Sequence, residues 1–508
     1  MGCLNDETPM DLPPAGNAGR GRSKVCLVPR LSTRRGWVLS FVWLAMSGLG
    51  LAPSANAQPA VVGSWSDVQT WPTVSVHTQL LATGSVLFWD YNGNSYLWDP
   101  TTGAITQPAQ PGRNTFCAGN STLANGAVFV PGGHIANNVG LASASYYDPG
   151  ADTWTAVPDM NAGRWYPSST TLANGDVLVT SGDTNVTVRN TLPQVYQAMT
   201  NSWRDLTTAT LALTLFPRTF LAPNGQVFFA TGTSRYLDPT ATGAWTTVGN
   251  KINPGTDNYG SAAMYDNGKV IFAGGADPPT AAAEVIDLNA IVPAWAPTGS
   301  MASARRQHNL TLLPDGRALA TGGSAGPGFD NSAVPALAAE VWDPATGQWA
   351  TLASEVNYRG YHSCATLLPD GRVLSSGGDV SPNAQVFSPP YLFNGARPTI
   401  DFAPAIVPLG SQFFVGTQDA ASITKVTWTR LGNETHAFNW NQRINVLAFT
   451  PDILGLNVTA PSDPNICPPG HYLLWILNGA GVPSVAAIVQ VTQDTPMGVL
   501  GGTKGVSK

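Results

Sequence analysis

Asn125-Gly126-Ala127-Val128-Phe129-Val130-Pro131-Gly132-Gly133 is the stretch that decides the fold: a turn pair, a short apolar run, then a glycine pair. Asn-Gly supplies the positive φ angles of a tight hairpin turn, and the β-branched and aromatic residues that follow suit a buried strand. The unit recurs at Asn174-Gly175 to Ser181-Gly182, Asn224-Gly225 to Thr231-Gly232 and Asn267-Gly268 to Gly274-Gly275. It continues at Asp315-Gly316 to Gly322-Gly323 and Asp370-Gly371 to Gly377-Gly378, with a degenerate copy at Thr83-Gly84 to Asp90. Successive turn glycines lie 42, 49, 50, 43, 48 and 55 residues apart. A second hairpin signal follows in several units, as at Trp98-Asp99-Pro100, Tyr147-Asp148-Pro149, Tyr236-Leu237-Asp238-Pro239 and Trp342-Asp343-Pro344. Two hairpins per unit make a four-stranded blade, and seven units make an all-β, seven-bladed kelch-like β-propeller. Unrelated β-sandwiches would not keep one register through seven copies.

The repeat stops near residue 395. From Arg397 to about Gln493 the chain still alternates as β without the glycine pair, which suits a small Ig-like β-sandwich. The expected organisation is therefore a leader over 1–57, a propeller over 58–395, the sandwich over 396–493 and a tail over 494–508. In the leader, Arg30, Arg34 and Arg35 precede an apolar run from Gly36 to Ala52, and Ala55-Asn56-Ala57 reads as a small-residue cleavage site. The run is short for a bilayer span. Export to the medium, the periplasm or the cell surface is expected, with no membrane association after cleavage.

The 508 residues carry 25 basic and 31 acidic side chains, a formal charge of −6, and only 11% are charged. With 53 Gly, 41 Pro and 43% hydrophobic residues, the chain is too turn-rich for a helical protein and too apolar for disorder. Mild acidity argues against nucleic acid as the main partner. Three cysteines remain after cleavage, Cys117, Cys364 and Cys467. At least one is outside any internal disulfide. Cys364 and Cys467 are a possible pair, which leaves Cys117 to explain.

The repeat also gives a ruler. Nine residues before each turn glycine stand Cys117, Tyr166, Phe216, Tyr259, Gln307 and His362, with Tyr361 one place earlier. Equivalent positions in successive blades lie on a ring at one end of the channel, a usual place for a ligand site. Cys117 and Tyr166 fall on adjacent blades and could touch. Alone, Cys117 could be a buried structural thiol, Tyr166 and Tyr361 packing, and His362 a satisfied core histidine. Four such residues in one ring point to a transition-metal site, because imidazole suits copper and a metal lets phenolate join it.

These residues resemble the copper-radical oxidases, the family of galactose oxidase and the glyoxal oxidase-like proteins. The resemblance rests on Phe116-Cys117-Ala118-Gly119, Arg164-Trp165-Tyr166-Pro167-Ser168 and Arg359-Gly360-Tyr361-His362-Ser363. It adds Glu434-Thr435-His436 and Asn478-Gly479-Ala480-Gly481-Val482-Pro483-Ser484 near the end of the chain. The resemblance implies a thioether between Cys117 and Tyr166, a Tyr166 radical, and a copper ion held by Tyr166, Tyr361, His362 and His436. Phe116 would pack beside the cross-link, with Trp165, Thr184, Tyr259 and Gln307 around it. His77, His134, His308 and His471 match no family role and are read as structural. Copper would accept one electron and the radical the other, Tyr361 would take the substrate proton, and dioxygen would leave as hydrogen peroxide.

Departures bear on the substrate. Thr184 stands where galactose oxidase stacks a tryptophan over the sulfur, Ser324 stands where it has a glutamine, and its sugar-binding arginine has no clear counterpart. The chain looks more like the glyoxal oxidase branch, with a less shielded radical. The expected function is an exported, monomeric oxidase of small alcohols, aldehydes or simple carbohydrates. The rivals are a kelch-type binding module that lost the chemistry, and a glycan hydrolase, which would need paired carboxylates that the ring lacks.

Overall fold

In the computed structural model, which describes residues 58–379 and 382–493, the seven repeat units fold as seven antiparallel sheets. The proposed leader and tail lie outside the described residues. In the third blade Ser168–Thr171, Val177–Thr180, Gln194–Gln197 and Ser202–Asp205 pair in chain order, and the fourth, fifth and sixth repeat the pattern. Innermost strands such as Ser121–Thr122, Ser168–Thr171 and Asn309–Leu312 are rich in small polar residues, while second strands such as Val128–Pro131 and Val177–Thr180 are apolar. Both sets are buried.

The glycine pairs exist because a neighbouring blade comes too close for a side chain. A Cβ at Gly132, Gly274 or Gly322 would stand 2.4 Å from the carbonyl oxygen of Arg164, Arg305 or Arg359 in the next blade. The second glycine of each pair donates its N–H to that same carbonyl: Gly133 at 3.1 Å, Gly275 at 2.8 Å and Gly323 at 2.7 Å. The three arginines are buried, and each guanidinium donates to a carbonyl at the end of its own blade's second strand, Ser181, Gly322 or Gly377. The repeated glycine pair thus marks the seam between blades.

The start of the described chain closes the ring. Ser64–Trp65 and Gln69–Thr70 pair antiparallel with Asn383–Ser388, supplying the last blade with its outer strand. The C-terminal β-sandwich is a seven-stranded assembly with its own core, including Trp428, Leu474, Ile476 and Val458. From it a hairpin, Asn433–Thr435 and Phe438–Asn439, enters the channel and pairs with the first blade's innermost strand, His77–Leu80. Thr122, Ser261, Leu310 and Thr366, on the innermost strands of four other blades, bond to this hairpin or to Gln442 just after it.

The possible disulfide is not formed. Cys364 faces the Val76 carbonyl at 3.3 Å inside the propeller, while Cys467 lies in the sandwich core, so the two thiols belong to different cores. Among the described residues no helix is long and apolar enough to cross a membrane.

Candidate metal centre

The six residues found by the ruler share an unusual backbone. Cys117, Tyr166, Phe216, Tyr259, Gln307 and His362 all have φ between 43° and 63°. That left-handed region costs an ordinary residue about 1–2 kcal/mol. Neighbours on the ring are tied by hydrogen bonds: the Tyr166 N–H donates to the Cys117 carbonyl at 2.9 Å, Phe216 to Tyr166 at 3.1 Å and Gln307 to Tyr259 at 2.8 Å. Strain gathered at one mouth of a channel is the kind that functional sites hold.

His436 reaches this ring from the channel side. With Ala437 it forms the two-residue loop of the inserted hairpin, and Thr435 pairs with Phe438 across it. Both loop residues have positive φ, 51° and 63°, the geometry of a type I′ turn that ordinarily asks for Asn-Gly. Thr435 Oγ1 donates its one hydrogen to the Val76 carbonyl at 2.8 Å, so at 2.6 Å from His436 Nδ1 it must accept from that nitrogen. The tautomer is thereby fixed. Nε2 is left with a bare lone pair and no partner in a residue only 4% exposed. Burial, then the nearby His362, holds this imidazole well below its usual pKa.

The other donors converge there. The His436 ring centroid lies 4.4 Å from that of His362, 4.5 Å from Tyr166 and 5.3 Å from Tyr361. The Tyr166 and Tyr361 hydroxyls share a hydrogen bond. His362 Nδ1 donates to Asp379 Oδ1 at 2.7 Å, and its Nε2 lies 3.4 Å from the Tyr166 hydroxyl. Burial, followed by Cys117 for Tyr166 and by Tyr259 for Tyr361, pushes both phenols well above their usual pKa. Two phenols and two imidazoles therefore converge in one buried space. A cation there would reverse the balance, ionising phenol and partnering the lone pairs. Among the described residues no cluster of three or more His, Cys, Asp or Glu could hold an ion, so phenols are needed to complete a donor set.

Cys117 is fully buried. Burial pushes its thiol well above the usual value, and Cys117 shares one buried cluster with Trp165 and Tyr166. The Trp165 indole stacks on the Tyr166 ring at 3.7 Å and 6°, and Phe216 lies nearly parallel to that ring at 4.4 Å. This corrects the expectation of a less shielded ring. Thr184 carries no stacking group, and its hydroxyl donates to the Gly163 carbonyl at 2.9 Å. An indole is supplied instead by the residue beside Tyr166. The left-handed bend at Tyr166 lets neighbouring side chains face each other where an extended chain would send them apart.

Around this core, Phe116 stands edge-on to His362 at 5.4 Å, and Tyr259 edge-on to Tyr361 at 5.7 Å. Gln307 is buried with neither amide atom partnered. Ser324 is buried and turned away, its hydroxyl on the Asn331 carbonyl. His77 stacks on Trp89, and His308 is buried with both nitrogens unpartnered. His134 Nδ1 accepts from the Trp165 indole at 3.2 Å. Sequence reasoning also missed Asp379 and Asp330. Asp330 Oδ1 accepts from the Tyr361 N–H at 2.9 Å and the Tyr358 hydroxyl at 2.6 Å, and its neighbour Phe329 packs edge-on against Tyr361 at 4.7 Å. A signal for two of these was present. His134 and Asp379 each directly follow a glycine pair, Gly132-Gly133 and Gly377-Gly378, which delivers them to the same mouth.

Comparison with known proteins gives a consistent result. The profile of the Galactose oxidase-like, Early set domain matches residues 397–491, and that of the Kelch motif matches residues 117–161. The chain is 30% identical to galactose oxidase of Gibberella zeae, over 89% of this chain and 74% of that one. It is 27% identical to aldehyde oxidase GLOX of Vitis pseudoreticulata, over 80% of this chain and 87% of that one. A solved structure described as a novel fungal alcohol oxidase with catalytic diversity among the AA5 family, in complex with copper, superposes with a TM-score of 0.77. It shares 27% identity, covering 85% of this chain and all of that one.

Proposed function

Because the chain belongs to the family of galactose oxidase and the glyoxal oxidase-like proteins, the copper-radical oxidases, we propose that it is an exported oxidase of small alcohols, aldehydes or simple carbohydrates that reduces dioxygen to hydrogen peroxide. The observation that carries this reading is the bare Nε2 of His436, buried beside two phenols and a second imidazole. Tyr166, Tyr361, His362 and His436 would hold one copper ion, which supplies one of the two electron-accepting positions the oxidation needs. The other is a Tyr166 radical, joined through a thioether to Cys117.

The chain's own groups account for the proton and the hydrogen atom. Tyr361 takes the proton of the substrate hydroxyl, within hydrogen-bond reach of the Tyr166 oxygen. The Tyr166 oxygen takes the hydrogen atom from the adjacent carbon, which becomes a carbonyl; an aldehyde hydrate treated in the same way becomes an acid. Asp330 holds the Tyr361 backbone and Phe329 backs its ring. Trp165 and Phe216 keep water from the Tyr166 ring. A small substrate of the glyoxal oxidase type is favoured by the state of Arg306, which is buried with its terminal nitrogens taken by Asp277, Asn258 and the Gly328 carbonyl, so they offer no paired hydrogen bonds to a sugar.

Aerobic, copper-loaded protein given a panel of primary alcohols, aldehydes and galactose should release peroxide with at least one of them. His436→Ala should release none. A wild-type protein that neither binds copper nor forms peroxide with any substrate would instead be a kelch-type binding module.

A further inference from the structure

We propose that His134 is a positioning residue that holds the Trp165 indole flat against Tyr166. The proposal rests on the oxidase reading and adds to it a residue outside the expected ligand set. The indole N–H donates to His134 Nδ1 at 3.2 Å, and its ring lies 3.7 Å from Tyr166 at 6°. Stacking alone leaves an aromatic ring free to slide and rotate in its own plane, since offset arrangements are close in energy. A directional N–H···N bond removes that freedom.

His134 is well placed to do this. Its own N–H is fixed to the Asn114 carbonyl at 3.1 Å, and the preceding Gly133 N–H is fixed to the Arg164 carbonyl, one residue before the indole. Phe116 packs on the imidazole at 5.2 Å. Burial lowers the pKa of the His134 ring, so Nδ1 is available as an acceptor. The seam between two blades therefore carries both partners of the bond. An acceptor on the indole nitrogen also places electron density on the ring that stacks over Tyr166, which favours an electron-poor phenoxyl beneath it.

The test compares His134→Asn, whose Oδ1 can replace the Nδ1 acceptor, with His134→Leu, which has none. Crystal structures of the metal-free variants read the indole directly, and the half-life of the oxidised cofactor reads the consequence in copper-loaded protein. In His134→Leu the indole should leave its coplanar position and the radical should decay about fivefold faster, as expected for one lost hydrogen bond. His134→Asn should retain both properties. In a Trp165→Phe background the His134→Leu change should have no further effect on the half-life. A coplanar indole in His134→Leu, or a His134→Leu effect that persists without the indole, overturns the proposal. Wild-type protein that forms no radical refutes the oxidase reading instead, and the metal-free structures still decide whether His134 sets the indole.

Discussion

If Cys117 and Tyr166 are joined by a thioether, the bond outlives the metal that made it, and its effect can be measured on stripped protein. The perturbation is exposure of metal-free protein to copper and air, followed by removal of the copper with a chelator. The loop closed runs from residue 117 to residue 166, and for a loop of about 50 residues the chain-entropy model gives about 4 kcal/mol of stabilisation. Native strain should subtract little, because Cys117 and Tyr166 already pack in one buried cluster, with the Tyr166 N–H on the Cys117 carbonyl at 2.9 Å. Spread over about 430 unfolding residues, that energy corresponds to a rise of roughly 4–5 °C in Tm if unfolding is all-or-none. Thermal unfolding of three stripped samples provides the assay: wild type before copper, wild type after copper, and Cys117→Ser after copper. Only the second should be raised. Identical unfolding of the two wild-type samples would refute the covalent link, and an equal rise in Cys117→Ser would show that residual copper causes it.

Other outcomes follow from individual contacts. His362→Ala and His436→Ala should each lose copper in equilibrium dialysis while keeping the wild-type fold by circular dichroism; full copper occupancy in either would remove that residue from the donor set. Asp330→Ala strips the acceptor from the Tyr361 N–H and the Tyr358 hydroxyl, a loss of about 1–3 kcal/mol of local order. It should lower kcat about tenfold or more with little change in copper content, and an unchanged kcat would leave Tyr361 positioned by other groups. Ala437→Gly relieves a positive φ in the hairpin loop and should stabilise the metal-free protein by about 1 kcal/mol in chemical denaturation; destabilisation would mean the methyl packs more usefully than the backbone strains. Glu434 is buried in the channel, and burial raises its carboxyl from 4.5 to about 8. The folded protein thus binds an extra proton between those values, so stability should fall as pH rises from 4.5 to 8. Glu434→Gln should flatten that fall in the Tm of metal-free protein, and an unaltered slope would assign it to another group.

Much of the site could be read from the sequence because a tandem repeat repeats its backbone. Counting nine residues back from each turn glycine reached the six left-handed positions of the ring, from Cys117 to His362, although nothing in the residue types themselves reveals a positive φ. His436 carries no repeat signal. It was reached through family resemblance, and its two-residue turn lacks the Asn-Gly that normally marks one. What the sequence hid was long-range or angular. The strands Ser64–Trp65 and Gln69–Thr70, which close the ring, are two residues each and resemble no repeat unit. Family resemblance places an indole over Tyr166 at position 184, which here is Thr184, yet the indole comes from Trp165 because a left-handed bend changes which side chains share a face. Asp379 and His134 lie just past glycine pairs, a position informative only once the pairs are understood as the seam between blades.

These placements also suggest a division of labour. The propeller supplies Cys117, Tyr166, Tyr361 and His362 on a strained but hydrogen-bonded ring, while the sandwich supplies a single imidazole on a hairpin that fills the channel. Burial holds both phenols well above their usual pKa in this fold; on the proposed function, a bound copper ion would displace those protons.

Peptide mass spectrometry of protein incubated with copper in air tests the central claim most directly. The peptides containing Cys117 and Tyr166 should be recovered as one species, lighter than their sum by two hydrogens and resistant to thiol reductants. Recovery of the two as separate, unmodified peptides from protein that had bound copper would contradict the account.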